Sequence, residues 1–298
     1  MTAISPEQRP ARLAVGAIGA GRVGAVLLAA LARAGHRPAA VSAVSTASRR
    51  RAEALVPAAA VLPPDEVLAR CELVVLAVPD DELAGLVSGL AASGRARPGT
   101  LVLHTSGAHG TDVLEPLTRV GCLPLALHPV MTFTGTSVDV ERLAGACFGV
   151  TAPDELRLAG EALVIEMGAE PVWVPEPARP LYHAALAFGA NNLVTVVNAA
   201  ADLLADAGVE APRRMLGPLL GAALDNALRQ GDAALTGPVA RGDAGTVRAH
   251  LDVLGEPELR AAYVALARLT AVRALAAGTL PAERAEPLLD VLAERGGA

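Results

Sequence analysis

The sequence predicts an α/β protein: a doubly wound Rossmann domain followed by an all-α helical domain. Three observations carry that expectation. Residues 12–35 read as an apolar strand, a glycine-rich turn and an Ala/Leu-rich helix. Apolar runs of strand length then alternate with helical stretches as far as Val174, the pattern of a parallel sheet covered on both faces. Past the prolines 175, 177 and 180 the pattern becomes helical almost throughout. The domains are therefore expected at 10–175 and 178–298.

Gly19, Ala20, Gly21, Arg22, Val23 and Gly24 spell G-x-G-x-x-G between that strand and that helix. Gly19 allows the tight turn, Gly21 lets a pyrophosphate approach the backbone, and Gly24 lets helix and strand pack closely. The unpaired N–H groups at the helix start face the phosphates. The bland alternative is a βα turn with no ligand. Gly35 falls where a helix C-terminus takes a left-handed residue.

A second strand fits 39–45. A dinucleotide fold that holds an NAD ribose usually has a carboxylate near this strand's end. Here Ser45-Thr46-Ala47-Ser48-Arg49-Arg50-Arg51 stands instead, and no acid occurs until Glu53. Hydroxyls and guanidinium groups suit a 2′-phosphate, so the expected cofactor is NADP, held by Ser45, Ser48, Arg49 and Arg50. A short third strand, 59–62, leads to a helix ending at Arg70. Residues 73–78 form a buried strand whose end, Val78-Pro79-Asp80, should pass the cofactor. Asp80 or Asp81 is expected to cap the helix 82–92. Further strands fit 101–104, 122–127, 146–150 and 171–174, about eight parallel strands in all, with a helix over 153–167. His104, Ser106 and His128 fall at strand ends, where such sheets bind ligands. The second domain reads as a long helix over 181–208, interrupted only by Gly189, then a helix over 211–230. A loop over 236–243 ends at Asp243 as the cap of a helix over 244–254. Two more helices, over 256–277 and 281–294, complete it.

The chain has 298 residues, room for two domains of ~100–200 residues each. Its formal net charge of −6, without a basic block, argues against nucleic acid. No uninterrupted apolar run approaches the ~18 residues of a membrane span. Met1–Pro10 reads as a disordered lead-in, not a signal peptide. Three widely spaced cysteines suit a reduced cytoplasm and offer neither a disulfide framework nor a metal site. All 25 basic residues are arginine, so no lysine can donate a proton or clamp a phosphate.

Over about residues 10–295 the chain resembles bacterial proteins that join a Rossmann-like NADP oxidoreductase domain to a helical domain of unknown function. The glycine turn, Val78-Pro79-Asp80-Asp81, His104-Thr105-Ser106-Gly107, His128-Pro129, Tyr182-His183-Ala184-Ala185 with Asn191, and Thr236–Asp243 carry the resemblance. It is similar to a larger group that includes ketopantoate reductases, β-hydroxyacid dehydrogenases and pyrroline-5-carboxylate reductases. The resemblance implies an NADPH-dependent reductase of a small 2-keto acid, ketopantoate among them, or a cyclic imine acid, with its site between the domains. Where β-hydroxyacid dehydrogenases and the usual ketopantoate reductases have a lysine, this chain offers His183 and Asn191. His183 is the first candidate for the proton donor, since histidine titrates near neutrality. Asn191 is eight positions on, about 80° around a helix, so both can lean toward the same cleft. Ser106 could bond substrate or the nicotinamide amide, or only shape its loop. His128 faces the cleft, Tyr182 could assist or merely pack, and Arg241 could clamp a carboxylate. His104 reads as structural, and His36, His109 and His250 as surface residues. Other readings are hydride exchange between NADP and a deazaflavin, and a non-catalytic NADP sensor. The Ala/Leu-rich helices suggest a homodimer.

Overall fold

β1 (Ala14–Ile18) is buried along its whole length, as a strand covered on both faces must be. In the computed structural model, which describes residues 12–294, it pairs with β2 (Arg37–Ser42) on one side and β4 (Leu73–Leu76) on the other. The sheet continues to β3 (Ala60–Val61) at one edge. At the other lie β5 (Leu101–His104), β6 (Leu123–Pro129), β7 (Cys147–Thr151) and β8 (Glu170–Trp173). The order β3-β2-β1-β4-β5-β6-β7-β8 reverses direction between β1 and β4, the switch point at which such sheets bind ligands. The expected lead-in, Met1–Pro10, lies outside the described residues.

Two layers of helix cover the sheet: α1 (Arg22–Arg33), α2 (Thr46–Leu55), α3 (Pro64–Arg70), α4 (Asp80–Ala92), α5 (Glu115–Thr118), α6 (Ser137–Arg142) and α7 (Arg157–Glu166). Alternation along β4 separates the layers. Leu73 and Val75 join Leu27, Leu28, Leu31 and Val164 in one apolar cluster. Val74 and Leu76 join Val67, Leu83, Val87 and Leu117 in the other.

One expectation of the sheet fails. β7 runs antiparallel to β6. The segment after β6 folds back over the strand ends, where Gly135 lies against Arg22 and Arg51, so β7 starts from that edge and returns. Antiparallel pairing also lets β6 run past the other strands. Ser42, Ile18, Leu76, His104, Ala126 and Thr151 form one row across the sheet. The glycine turn, Ala77–Asp80, Thr105–Gly107 and Leu127–Pro129 all follow that row and share one edge.

Smaller differences have local causes. Pro79, not Asp80 or Asp81, is the N-cap of α4, and no side chain caps it. Proline's fixed φ ends the strand, and the acids fall in the first turn, where the helix dipole favours them. His36 is buried, not at the surface: its Nδ1 accepts the Leu13 N–H at 3.1 Å, and its Nε2 donates to Glu166 at 2.7 Å.

The chain divides into two compact units, Met1–Phe188 and Gly189–Ala298. The helix after the proline cluster, α8 (Arg179–Leu186), belongs to the first. The second contains α9 (Asn192–Asp206), α10 (Pro212–Gln230), α11 (Gly237–Arg241), α12 (Ala244–Val253), α13 (Pro257–Ala276) and α14 (Ala282–Glu294). Val247, Leu251, Val264, Ala271, Ala274 and Leu288 form its core, close-packed because so many of its side chains are small. The expected loop 236–243 contains α11, and Asp243 caps α12 by accepting the Thr246 N–H at 3.0 Å. The helix expected over 181–208 with an interruption at Gly189 is two helices joined by a π-helical turn, Ala187–Asn191, that contains this glycine. The stretch Glu176–Asp206 is long and apolar enough by composition to cross a membrane, with a mean hydropathy of 1.3. That qualifies the sequence expectation, although its first turns are tied to the sheet through Arg179.

Candidate functional site

The glycine turn has the shape the motif demands. Gly19 has φ +96°, and a Cβ there would collide with the Ala77 carbonyl. A Cβ on Gly24 would meet the Gly19 carbonyl, whereas around Gly21 nothing lies within 4 Å. The glycine roles are thus separable: Gly19 and Gly24 are required by the protein's own packing, and Gly21 by none of it. The Gly19 and Ala20 N–H groups donate to the Ser42 carbonyl at 3.2 and 3.0 Å, tying the turn to β2. Gly21 is the N-cap of α1 and contributes no side chain, so the first-turn N–H groups of Arg22, Val23 and Gly24 keep no intrahelical partner. An open approach beside free donors fits a pyrophosphate. Val78 lies against the same turn beside Gly19.

The rim beside it is built by α2. Ser45 caps that helix, accepting the Ser48 N–H at 3.1 Å, and the two hydroxyls bond to each other at 3.0 Å. Arg49 Nε donates to the Ala43 carbonyl at 3.2 Å, and Arg50 is exposed. Arg51, not among the expected binding residues, reaches back to the Ala20 carbonyl at 3.1 Å. It braces α2 against the glycine turn.

Further along the same edge, imidazoles gather. His104 is fully buried; its Nδ1 accepts the Ser106 N–H at 3.2 Å and its Nε2 donates to the Gly110 carbonyl at 2.8 Å. Burial pushes its pKa down to about 4, so it is the neutral structural residue expected. The Ser106 hydroxyl oxygen accepts the N–H groups of Ala108 and His109, both at 3.2 Å, which shapes the loop; its own proton remains free to donate. His128 Nδ1 lies 2.8 Å from the Tyr182 hydroxyl. Its ring meets those of Tyr182 and His183 edge-on, at centroid distances of 5.6 and 6.2 Å. A Cβ on Gly107 would lie 2.7 Å from His183 Cδ2 and 3.1 Å from His128 Nε2. The two imidazoles therefore converge where only glycine fits.

Beneath them sits a group that the sequence reading missed. Arg179 is fully buried. Its Nε donates to Thr151 Oγ1 at 2.8 Å, and its terminal nitrogens donate to the carbonyls of Ser106, Ala126 and Gly149 at 3.3, 2.8 and 3.0 Å. Among the described residues it has no carboxylate salt bridge, so a cation held by neutral oxygens underlies the cluster. Burial lowers its pKa. Burial, then the Arg179 charge, then His183 hold His128 down to about 4, against a weaker pull from Asp80. Burial raises the Tyr182 phenol. Asp80 acts on both His104 and His128, which joins the end of β4 to the cluster.

Of the expected site residues, Ser106, His128, His183 and Asp80 are therefore brought together, with Tyr182. Asn191 and Arg241 lie in the second unit, Asn191 closing the π-turn and Arg241 exposed at the end of α11. The π-turn breaks the regular helical phase on which a shared face for His183 and Asn191 rested. His250 there is half-buried, its Nδ1 2.8 Å from the Tyr263 hydroxyl. Among the described residues no group of three or more metal-ligating side chains occurs.

Residues 2–129 match the Rossmann-like domain family, and residues 146–270 match a domain of unknown function, DUF2520. No curated protein matches the sequence. Solved structures that share the fold include the following three. A Bacteroides fragilis protein described as a candidate NADP oxidoreductase is 24% identical, with TM-score 0.75 over 87% of this chain and 98% of that one. An imine reductase from a Pseudomonas species is 18% identical, with TM-score 0.57 over 94% and 93%. A pyrroline-5-carboxylate reductase from Coxiella burnetii is 16% identical, with TM-score 0.55 over 93% and 99%.

Proposed function

For a chain that joins a Rossmann-like domain to a DUF2520 domain, we propose an NADPH-dependent oxidoreductase that reduces a small 2-keto acid, ketopantoate being one candidate, or a cyclic imine acid. One observation carries this reading: the open glycine turn and the His128–Tyr182–His183 cluster occupy the same strand edge. The fold shared with oxidoreductases supports it.

Gly19–Gly24 would hold the pyrophosphate, with the N–H groups of the first turn of α1 as donors. The exposed guanidinium groups of Arg49 and Arg50 would read the 2′-phosphate beside the capped start of α2. When bound, the reduced nicotinamide supplies a hydride. The protein must then protonate the heteroatom on which charge develops and hold the substrate carboxylate. The imidazoles around Gly107 serve the first need. For the second need the sequence offers Arg241, whose guanidinium suits a carboxylate. Apolar side chains exposed on α9 and α10, among them Val194, Met215, Leu219 and Leu228, support a homodimer, which light scattering on the purified protein would test.

Calorimetry with NADPH and NADH, followed by a turnover screen against 2-keto acids with ketopantoate first and cyclic imine acids second, tests the reading. Failure to bind NADPH sinks it.

A further inference from the structure

Three features around His128 call for a joint explanation. Its Nδ1 is engaged by the Tyr182 hydroxyl at 2.8 Å. Its Nε2 faces the space left by the missing side chain of Gly107. Behind both rings lies Arg179, satisfied by three carbonyls and a hydroxyl, with its guanidinium carbon 5.7 Å from the Tyr182 ring centroid. The φ of Gly107 is not in the left-handed range, so that glycine is required by space and not by backbone conformation. Gly149, opposite His128 in the antiparallel pair, has the same character: a Cβ there would collide with the Tyr182 hydroxyl. Two glycines thus make room for two polar side chains to meet, an arrangement that packing alone does not require.

We propose that Tyr182 and His128 form a proton relay. The Tyr182 O–H donates to His128 Nδ1, and the His128 Nε2–H is the acid presented to the substrate, with Arg179 as the residue that positions the pair. The inference rests on the reductase reading above. Reduction of a substrate carbonyl would develop charge on its oxygen. The His128 Nε2–H bond breaks and an O–H bond forms on that oxygen. The ring keeps the Nε2 electron pair and takes the Tyr182 proton at Nδ1. The phenolate left behind regains its proton from water.

Burial above all disfavours a second proton on the His128 ring, Arg179 and His183 on α8 add to it, and Asp80 at the start of α4 favours that proton more weakly. The phenol of Tyr182, kept protonated by burial, supplies the hydrogen bond that selects the tautomer. Neutral His128 has only one nitrogen on which to carry its proton while accepting from Tyr182, and that nitrogen is Nε2. His183, the first candidate from the sequence, becomes the second wall of the pocket over Gly107.

Nitrogen NMR of the imidazoles in the full chain, free of ligand, reads the tautomer directly. The wild type is expected to show His128 neutral and protonated at Nε2 at neutral pH. Tyr182→Phe is expected to abolish that preference, mixing the two tautomers. With NADPH and an accepted keto acid, the same variant should lose about tenfold or more in kcat while its KM for NADPH stays unchanged. A wild-type His128 protonated at Nδ1, or a Tyr182→Phe protein with unaltered tautomer, overturns the relay. If an accepted substrate turns over as fast in Tyr182→Phe as in wild type, the relay is likewise overturned. The expected tautomers without turnover of any keto acid would support the pair and count against the reductase reading instead.

Discussion

Arg179 Nε donates to Thr151 Oγ1 at 2.8 Å, and that hydroxyl in turn donates to the Val174 carbonyl at 2.5 Å. One threonine thus connects the last strands of the sheet to the helix that carries Tyr182 and His183. Thr151→Val keeps the shape and removes both bonds, leaving a buried guanidinium N–H and a carbonyl unsatisfied. A loss of about 2–4 kcal/mol in unfolding free energy is expected, measured by urea denaturation. Thr151→Ser should retain most of the stability. Equal stability of the valine variant and wild type would mean that Arg179 finds another acceptor.

His104 predicts a dependence of stability on pH. In the unfolded chain it titrates near 6.5, the ordinary value for histidine, and in the fold at about 4. Between those values the unfolded state holds a proton that the folded state refuses. Stability is therefore full above pH 6.5 and falls as the pH drops toward 4, by up to about 3 kcal/mol from this residue. His128, shifted the same way, adds to the same slope. Denaturation midpoints at pH 7 and 5 measure it, and His104→Gln should flatten the dependence. A wild-type curve that is level over this range would mean that the folded protein accepts the proton at little cost.

Much of the first unit was legible because its signals are local. Leu73–Leu76 is a run of buried apolar residues, and such a run has few structures open to it. The glycine turn is legible for the same reason: strand, turn and helix are contiguous. The Arg179 cluster was not, because its acceptors lie 28 to 73 residues away in sequence and no spacing announces them. The one available hint was an arginine just inside a helix N-terminus, where a cation is unfavourable unless something else holds it. The break at Ala187–Asn191 was legible in place but not in kind. Gly189 marks the interruption, the one glycine between two helices that have none, but an isolated glycine does not say that the break is a π-turn.

The exposed arginines of α2 bear on cofactor choice. Arg49 and Arg50 present guanidinium groups beside Ser45 and Ser48, while Arg51 is committed to the Ala20 carbonyl. An NADPH preference over NADH of at least about tenfold is expected, the worth of a charge-assisted contact to phosphate. The double variant Arg49→Ala, Arg50→Ala should erode it by weakening NADPH alone. Arg51→Ala should weaken both cofactors together, since it loosens the turn and not the phosphate contact. Unchanged selectivity in the double variant would remove these two arginines from the reading.

The three glycines of the turn separate packing from binding. A Cβ on Gly24 meets the Gly19 carbonyl, and a Cβ on Gly21 meets nothing within 4 Å. Gly21 also has φ −67°, open to any residue. Gly24→Ala must push helix and turn apart, so it should cost about 1–3 kcal/mol of stability as well as cofactor affinity. Gly21→Ala is expected to leave stability within about 1 kcal/mol of wild type, the range for a substituted N-cap. It should still raise the NADPH dissociation constant about tenfold or more, because the methyl occupies the approach that the pyrophosphate needs. Calorimetric titration and thermal unfolding on the same samples give both numbers. If Gly21→Ala bound NADPH as tightly as wild type, the open space at Gly21 would not be the phosphate approach.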